Sequence, residues 1–156
     1  MKKFILSVFV MLFTTGLVVG QGLTPYEWKQ YHLSFKVPGG ANILKSTSDE
    51  FVVDNEAYNV QIAVVKLPLD DDDMSSFLIE KSKQEGMLIE NAEVQTFNNT
   101  GVHGLSLEGK RNGGDNMCTV VLVTENTHTF IFISIIYADG HEHEATDMVN
   151  SFMVKA

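Results

Sequence analysis

The residues best equipped for chemistry in this chain lie in two acidic segments. Asp70-Asp71-Asp72-Asp73 places four carboxylates in a row, and a hard cation such as calcium takes several carboxylate oxygens. Asp70 and Asp72 are the calcium candidates. Neighbouring side chains diverge, however, and the calcium-loop spacing fails. Counted from Asp70, position six is Ser75 where glycine is needed, and position twelve is Lys81 in place of glutamate. The same run suits an exposed acidic lead into a helix, whose N-terminal dipole favours negative charge.

The second segment is Asp139-Gly140-His141-Glu142-His143-Glu144. On a helix, residues two apart face away from each other, so His141 and His143 do not chelate together. Two-ligand pairs remain: His143 with Asp147, or Asp139 with His143. Catalytic zinc takes three protein ligands, so a further one would have to come from elsewhere. The HExxH pattern is absent, because Ala145 stands where the second histidine belongs. Asp139 and Glu142 are expected to act instead as an N-cap and its capping-box partner.

Other constellations are weaker. Ser106, His103 and Glu108 compose a nucleophile-base-acid set on paper, but residues three apart on a strand point to opposite faces. Glu108 also replaces the closing glycine of a nucleophile elbow. Gly39-Gly40 and Gly113-Gly114 lack phosphate-loop spacing and suit turns. Lys110-Arg111 is too small for a nucleic-acid patch. Cys118 is the single cysteine; set in an apolar run, it is expected to be a buried, inert thiol with no disulfide. No catalytic residue and no cofactor is assigned, so the chain is expected not to be an enzyme. Calcium or zinc is the only ion chemistry left open.

The elements that must position these residues follow from periodicity. Strands are expected at Leu33–Val37, Glu50–Asp54, Tyr58–Leu67, Ala92–Phe97, Val102–Lys110, Met117–Thr124 and Thr129–Tyr137. Short connections join the last four, which implies antiparallel hairpins. Phe130, Phe132 and Ile136 alternate with Ile131, Ile133, Ile135 and Tyr137, so this strand is apolar on both faces and both must be covered. A helix is expected over Met74–Glu85, with Gly86 as its stop. Another is expected over His141–Val154, with Ala145, Met148, Val149, Phe152 and Met153 on one stripe. The expected fold class is α+β, an antiparallel sheet covered by helices on both faces. Tyr26, Trp28 and Tyr31 are expected to pack over a sheet edge, or else to form a docking patch.

The first twenty residues fix the compartment. Lys2-Lys3, the apolar run Phe4–Phe13 and the small residues leading to Gly20 make a secretory signal peptide. Cleavage after Gly20 leaves residues 21–156 as a single globular domain. That domain carries nine basic and 20 acidic residues, a formal charge of −11. Such a surface repels phosphate backbones and anionic lipid, so neither nucleic acid nor passive membrane binding is expected, and cleavage is expected to leave no stable membrane anchor.

The order of motifs resembles the PsbP-like fold. That fold is named for an extrinsic protein of photosystem II and is shared with a Ran-binding import factor and small exported bacterial proteins. The resemblance begins at Tyr31-His32-Leu33-Ser34-Phe35-Lys36-Val37-Pro38 and continues through Tyr58–Val65 and the acidic entry to a helix. It runs on through the glycine-bearing strand Val102–Leu107 and Thr129–Phe132, and ends at Asn150-Ser151-Phe152. It covers about residues 31 to 154. The resemblance implies a layered sandwich and a docking or accessory role, with no catalysis and no functional residue carried over. The expected function is an exported, non-enzymatic module that binds an envelope or extracellular protein. The alternative is a cation-responsive or small-ligand-binding periplasmic protein.

Overall fold

The computed structural model describes residues 22–155. The expected signal peptide, residues 1–20, lies outside them. Eleven strands and two α-helices are built in the order β1 (Leu23–Trp28), β2 (Leu33–Pro38), β3 (Asn42–Ser46), β4 (Glu50–Asp54), β5 (Tyr58–Val64), α1 (Met74–Gln84), β6 (Met87–Leu88), β7 (Gln95–Asn99), β8 (Val102–Arg111), β9 (Asn116–Thr124), β10 (Phe130–Tyr137), α2 (Glu142–Val149) and β11 (Met153–Val154).

The main sheet runs β3-β4-β5-β10-β9-β8-β6, with β7 also paired to β8. Its centre is the expected hairpin series: Ile133 pairs with Val120 in β9 and with Ile62 in β5. Every residue of β9 is buried, as a strand apolar on both faces requires. The alternation divides the core in two. Val120, Leu122, Ile131, Ile133 and Ile135 enter one cluster, and Val121, Val123, Phe130 and Phe132 enter the other.

Helix α1 covers the second cluster. Met74, Leu78 and Ser82 form its buried stripe at a spacing of four. The polar third member is satisfied, because the Ser82 and Thr119 hydroxyls lie 2.7 Å apart and hydrogen-bonded.

The opposite face is covered differently from the expectation, and helices over both faces are not confirmed as such. A second, three-stranded sheet, β1-β2-β11, lies there beside α2. Strand β2 alternates cleanly, burying Leu33, Phe35 and Val37 while Ser34 and Lys36 stay nearer solvent. That is the pattern of a sheet with one solvated face. Phe35 stacks on Phe152 with ring centroids 5.0 Å apart and meets Phe51 edge-on at 5.4 Å.

The C-terminal helix is shorter than its apolar stripe implies. It stops at Val149, and Phe152 and Val154 reach the same core from a turn and from β11, where Met153 pairs with Ser34. The expected capping box at Asp139 and Glu142 is also absent. His141 holds the N-cap position and makes no side-chain capping bond. Asp139 is drawn to the sheet instead, where Asn116 and Lys110 satisfy it.

Candidate functional site

Asp70, Asp139, His143 and Asp147 each have a side-chain partner, and Asp72 is engaged through its backbone amide. Asp70 caps a short 3₁₀ turn over Asp71–Asp73. Its side chain accepts from the Asp72 amide, and Asp73 answers from the Asp70 amide in a reciprocal capping box. Asp72 lies within that turn. The acidic run is therefore a helix entry, as its alternative reading had it.

Asp139 accepts hydrogen bonds from Asn116 Nδ2 at 2.7 Å and Lys110 Nζ at 3.1 Å. These two donors hold its carboxyl below the usual carboxylate range. His143 meets Asp147 one turn on at 3.6 Å but is almost wholly exposed. Among the described residues no three His, Cys, Asp or Glu side chains are placed to hold a metal ion.

His103 and Ser106 fall on opposite faces of β8. His103 stands opposite Val123 and Ser106 opposite Val120, residues that belong to the two different cores. His103 lies between Asp71, 3.4 Å from Nε2, and Glu125, 3.5 Å from Nδ1. Cys118 is 4% exposed, and burial pushes its thiol up to about 12, with the Glu108 charge adding to the effect.

One cluster was missed from the sequence. The Tyr58 hydroxyl donates to Glu144 at 2.6 Å and lies 3.1 Å from His141 Nδ1. Burial, then the Glu144 carboxylate, raises the Tyr58 hydroxyl well above its ordinary range. The cluster pins the start of α2 to β5. Only the topology brings it together, since Tyr58 and Glu144 are 86 residues apart.

Packing does not account for the β3 edge of the main sheet. All five residues of β3 are exposed, and among the described residues only its β4 side is paired. Ile43 and Leu44 are 57% and 58% exposed. Ile43 stands opposite Val53, a core residue, so it lies on the face that carries the second sheet, yet the cover stops short of it. A bulge between Ile43 and Lys45 breaks the ladder at Leu44.

The N-terminal aromatic residues anchor the turn that follows this edge. Tyr26 OH meets Ser46 Oγ at 3.2 Å. Trp28 Nε1 donates to the Thr47 carbonyl at 3.0 Å, and Tyr31 OH donates to that of Ser48 at 2.8 Å. They hold a sheet edge, as expected, and an open groove lies between them and the turn, bounded by Tyr26, Trp28, Lys29 and Ser46–Ser48.

No family model matches the sequence, and no curated protein matches it. Solved structures do. The chain is similar to the Ran-binding protein Mog1p of Saccharomyces cerevisiae, with a TM-score of 0.54, 12% identity and coverage of 86% of this chain and 96% of that one. It is also similar to cyanobacterial PsbP (CyanoP) of a Synechocystis species, with a TM-score of 0.55, 16% identity and coverage of 92% and 99%. At these identities the likeness establishes the fold: the chain has the PsbP/Mog1 architecture that the order of its motifs resembles.

Proposed function

We propose that this chain is an exported, non-enzymatic docking or accessory module of the cell envelope. In this reading it takes up an extended, basic segment of a partner protein along β3. The observation that carries the reading is the β3 edge, a row of backbone groups unpaired among the described residues, with Ile43 and Leu44 exposed on it. Strand addition to such an edge draws affinity from main-chain hydrogen bonds and specificity from the side chains beside them. The partner's charge follows from complementarity. A mature chain of net charge −11 disfavours a second copy of itself and favours a positive segment. A likeness of fold to a protein described as Ran-binding supports a binding role over a catalytic one. The signal-peptide pattern expected over residues 1–20 supports export. Among the described residues no helix is long and apolar enough to cross a membrane.

The test is site-specific photo-crosslinking in intact cells from position 43 or 44, with position 83 on the far face as control. The expected result is one partner linked from the edge alone. Its linked segment is basic and extended, and a synthetic peptide of that segment slows hydrogen exchange at the β3 amides. Ile43→Lys should abolish the peptide's binding. Equal crosslinking from position 83, or binding that leaves the β3 amides unprotected, would overturn the reading. Intact mass of the exported protein checks the compartment: a chain beginning at Gln21 is expected, and one that retains Met1 would mean an uncleaved anchor.

A further inference from the structure

The turn between β8 and β9 holds Asn112-Gly113, and no other asparagine in the chain is followed by glycine. Asparagine is among the thermolabile residues. Its side-chain carbon lies within reach of the next backbone nitrogen, and attack by that nitrogen closes a cyclic imide. A side chain on the following residue crowds the attack; glycine has none.

The fold leaves both reacting groups free. Three amides of the turn are committed: Arg111 donates to the Asp115 carbonyl, Asn112 to that of Gly86 and Gly114 to that of Arg111. The Gly113 amide is left out of this set, and among the described residues neither it nor the Asn112 side chain has a hydrogen-bond partner. Residues 112–115 are all exposed, and the space beside the Gly113 Cα is empty to 4 Å. Three other asparagines are held. Asn55 and Asn99 bond to backbone groups, and Asn116 is buried against Asp139.

We propose that Asn112 is a site of spontaneous, enzyme-free modification in the folded protein. The Gly113 nitrogen bonds to Asn112 Cγ, and the Cγ–Nδ2 bond breaks. Ammonia leaves, carrying the proton that the Gly113 nitrogen gives up. Water then adds across either imide C–N bond, giving aspartate or isoaspartate with no change of oxidation state. Both products place a new carboxylate in the turn beside Asp115, whose countercharge is Arg111 at 4.0 Å. Isoaspartate also adds a methylene to the main chain of the turn that Arg111 and Asp115 close. The longer turn loosens the Asn112 amide from the Gly86 carbonyl, the bond that ties the hairpin tip to the residue behind α1. The turn lies apart from the docking edge, since four strands stand between β3 and β8 in the main sheet.

The test is incubation of the intact mature protein at pH 8 in oxygen-18 water, followed by peptide mapping that separates aspartate from isoaspartate. The expected result is label at position 112 in both products. Asn126-Thr127, equally exposed in the next hairpin turn but followed by a β-branched residue, should stay unlabelled. Asn112→Gln, one methylene longer, should abolish the labelling. The folded protein should convert at a rate within about tenfold of the chain unfolded in guanidinium chloride, as a turn with no local bond to break requires. In the isoaspartate fraction the amide at position 112 should exchange hydrogen faster than in the unmodified protein. Equal labelling at Asn126, a folded-state rate lower than that bound, or unchanged exchange at position 112 in the product would overturn the proposal.

Discussion

Alanine at Gly104 should be among the most damaging single methyl groups that can be added to this protein. A Cβ at that position would sit 2.0 Å from the Val121 carbonyl oxygen and 2.7 Å from Leu122 Cα. Ordinary contact begins near 3.4 Å, so β8 and β9 would have to part locally by about 1.4 Å. The obstacle is backbone, with no rotamer to move, and it lies in a ladder of nine paired positions. Overpacking of this kind costs about 1–3 kcal/mol. Ladder hydrogen bonds stretched past their range add about 1 kcal/mol each. The sum is roughly 3–5 kcal/mol, a large share of the roughly 5–15 kcal/mol that holds a domain folded. Gly109 in the same strand is the matched comparison. Its Cβ would meet Met87 Cγ at 3.1 Å and the Leu88 carbonyl oxygen at 3.2 Å, a flexible side chain and a two-residue edge strand that need give by only a few tenths of an ångström. Reduced freedom of the unfolded chain offsets part of that strain, so Gly109→Ala should stay within about 1 kcal/mol of the parent. Equilibrium urea unfolding of both variants reads the difference directly. Equal midpoints for the two would refute the close-approach argument.

Three further outcomes follow from the same structure. Phe35→Ala should cost about 3–5 kcal/mol, because its ring packs among Phe51, Phe152 and Tyr26; a loss below about 1 kcal/mol in urea unfolding would place the main core elsewhere. Tyr137, pushed up to about 12 by burial and then by the Glu108 charge, holds its proton when folded at a pH where the unfolded chain has lost it. Its contribution to stability is therefore complete below pH 10 and lost as pH rises from about 10 to 12. Stability measured across that interval should fall less steeply in Tyr137→Phe, and an unchanged slope would count against the buried site. Cys118 should resist iodoacetamide in the native protein at pH 8 and react fully in denaturant; rapid native labelling would mean that its strand pair opens to solvent.

The main sheet was legible because its strands declare themselves locally. Residues 117–124 and 129–137 are apolar on both faces, which identifies central strands and the need for two covers. What makes the second cover was not legible. Strand β1 runs through Pro25 with only Trp28 buried, so it carries no alternating signal; in the main sheet the same holds for the edge strand β3, which buries nothing. Strand β11 is two residues long, and its apolar side chains fall at helical spacing after α2. Periodicity could not tell Phe152 in a turn from Phe152 on a helix, because both bring it to the same core. Asp139 fails as a cap for a related reason. Capping is a local expectation, and Lys110 and Asn116, which outcompeted it, come from two other strands, β8 and β9. For the candidate surface, the sequence shows Ile43-Leu44 as residues, but only the sheet order makes them an edge.

The pairing of Ser34 with Met153 bears on how the chain reaches its native state. The hairpin of β1 and β2 is made early in synthesis and has its neighbours within a few residues, yet a two-stranded ribbon is marginal alone. Its third strand arrives more than a hundred residues later, across a loop whose closure must be compensated by contacts already formed elsewhere. The local hairpins of β8, β9 and β10 have no such wait and form the natural nucleus. The amino-terminal ribbon should therefore be the last part to become protected against exchange during refolding. A chain crossing a membrane from its amino end would keep its leading segment unstructured until its final residues had followed.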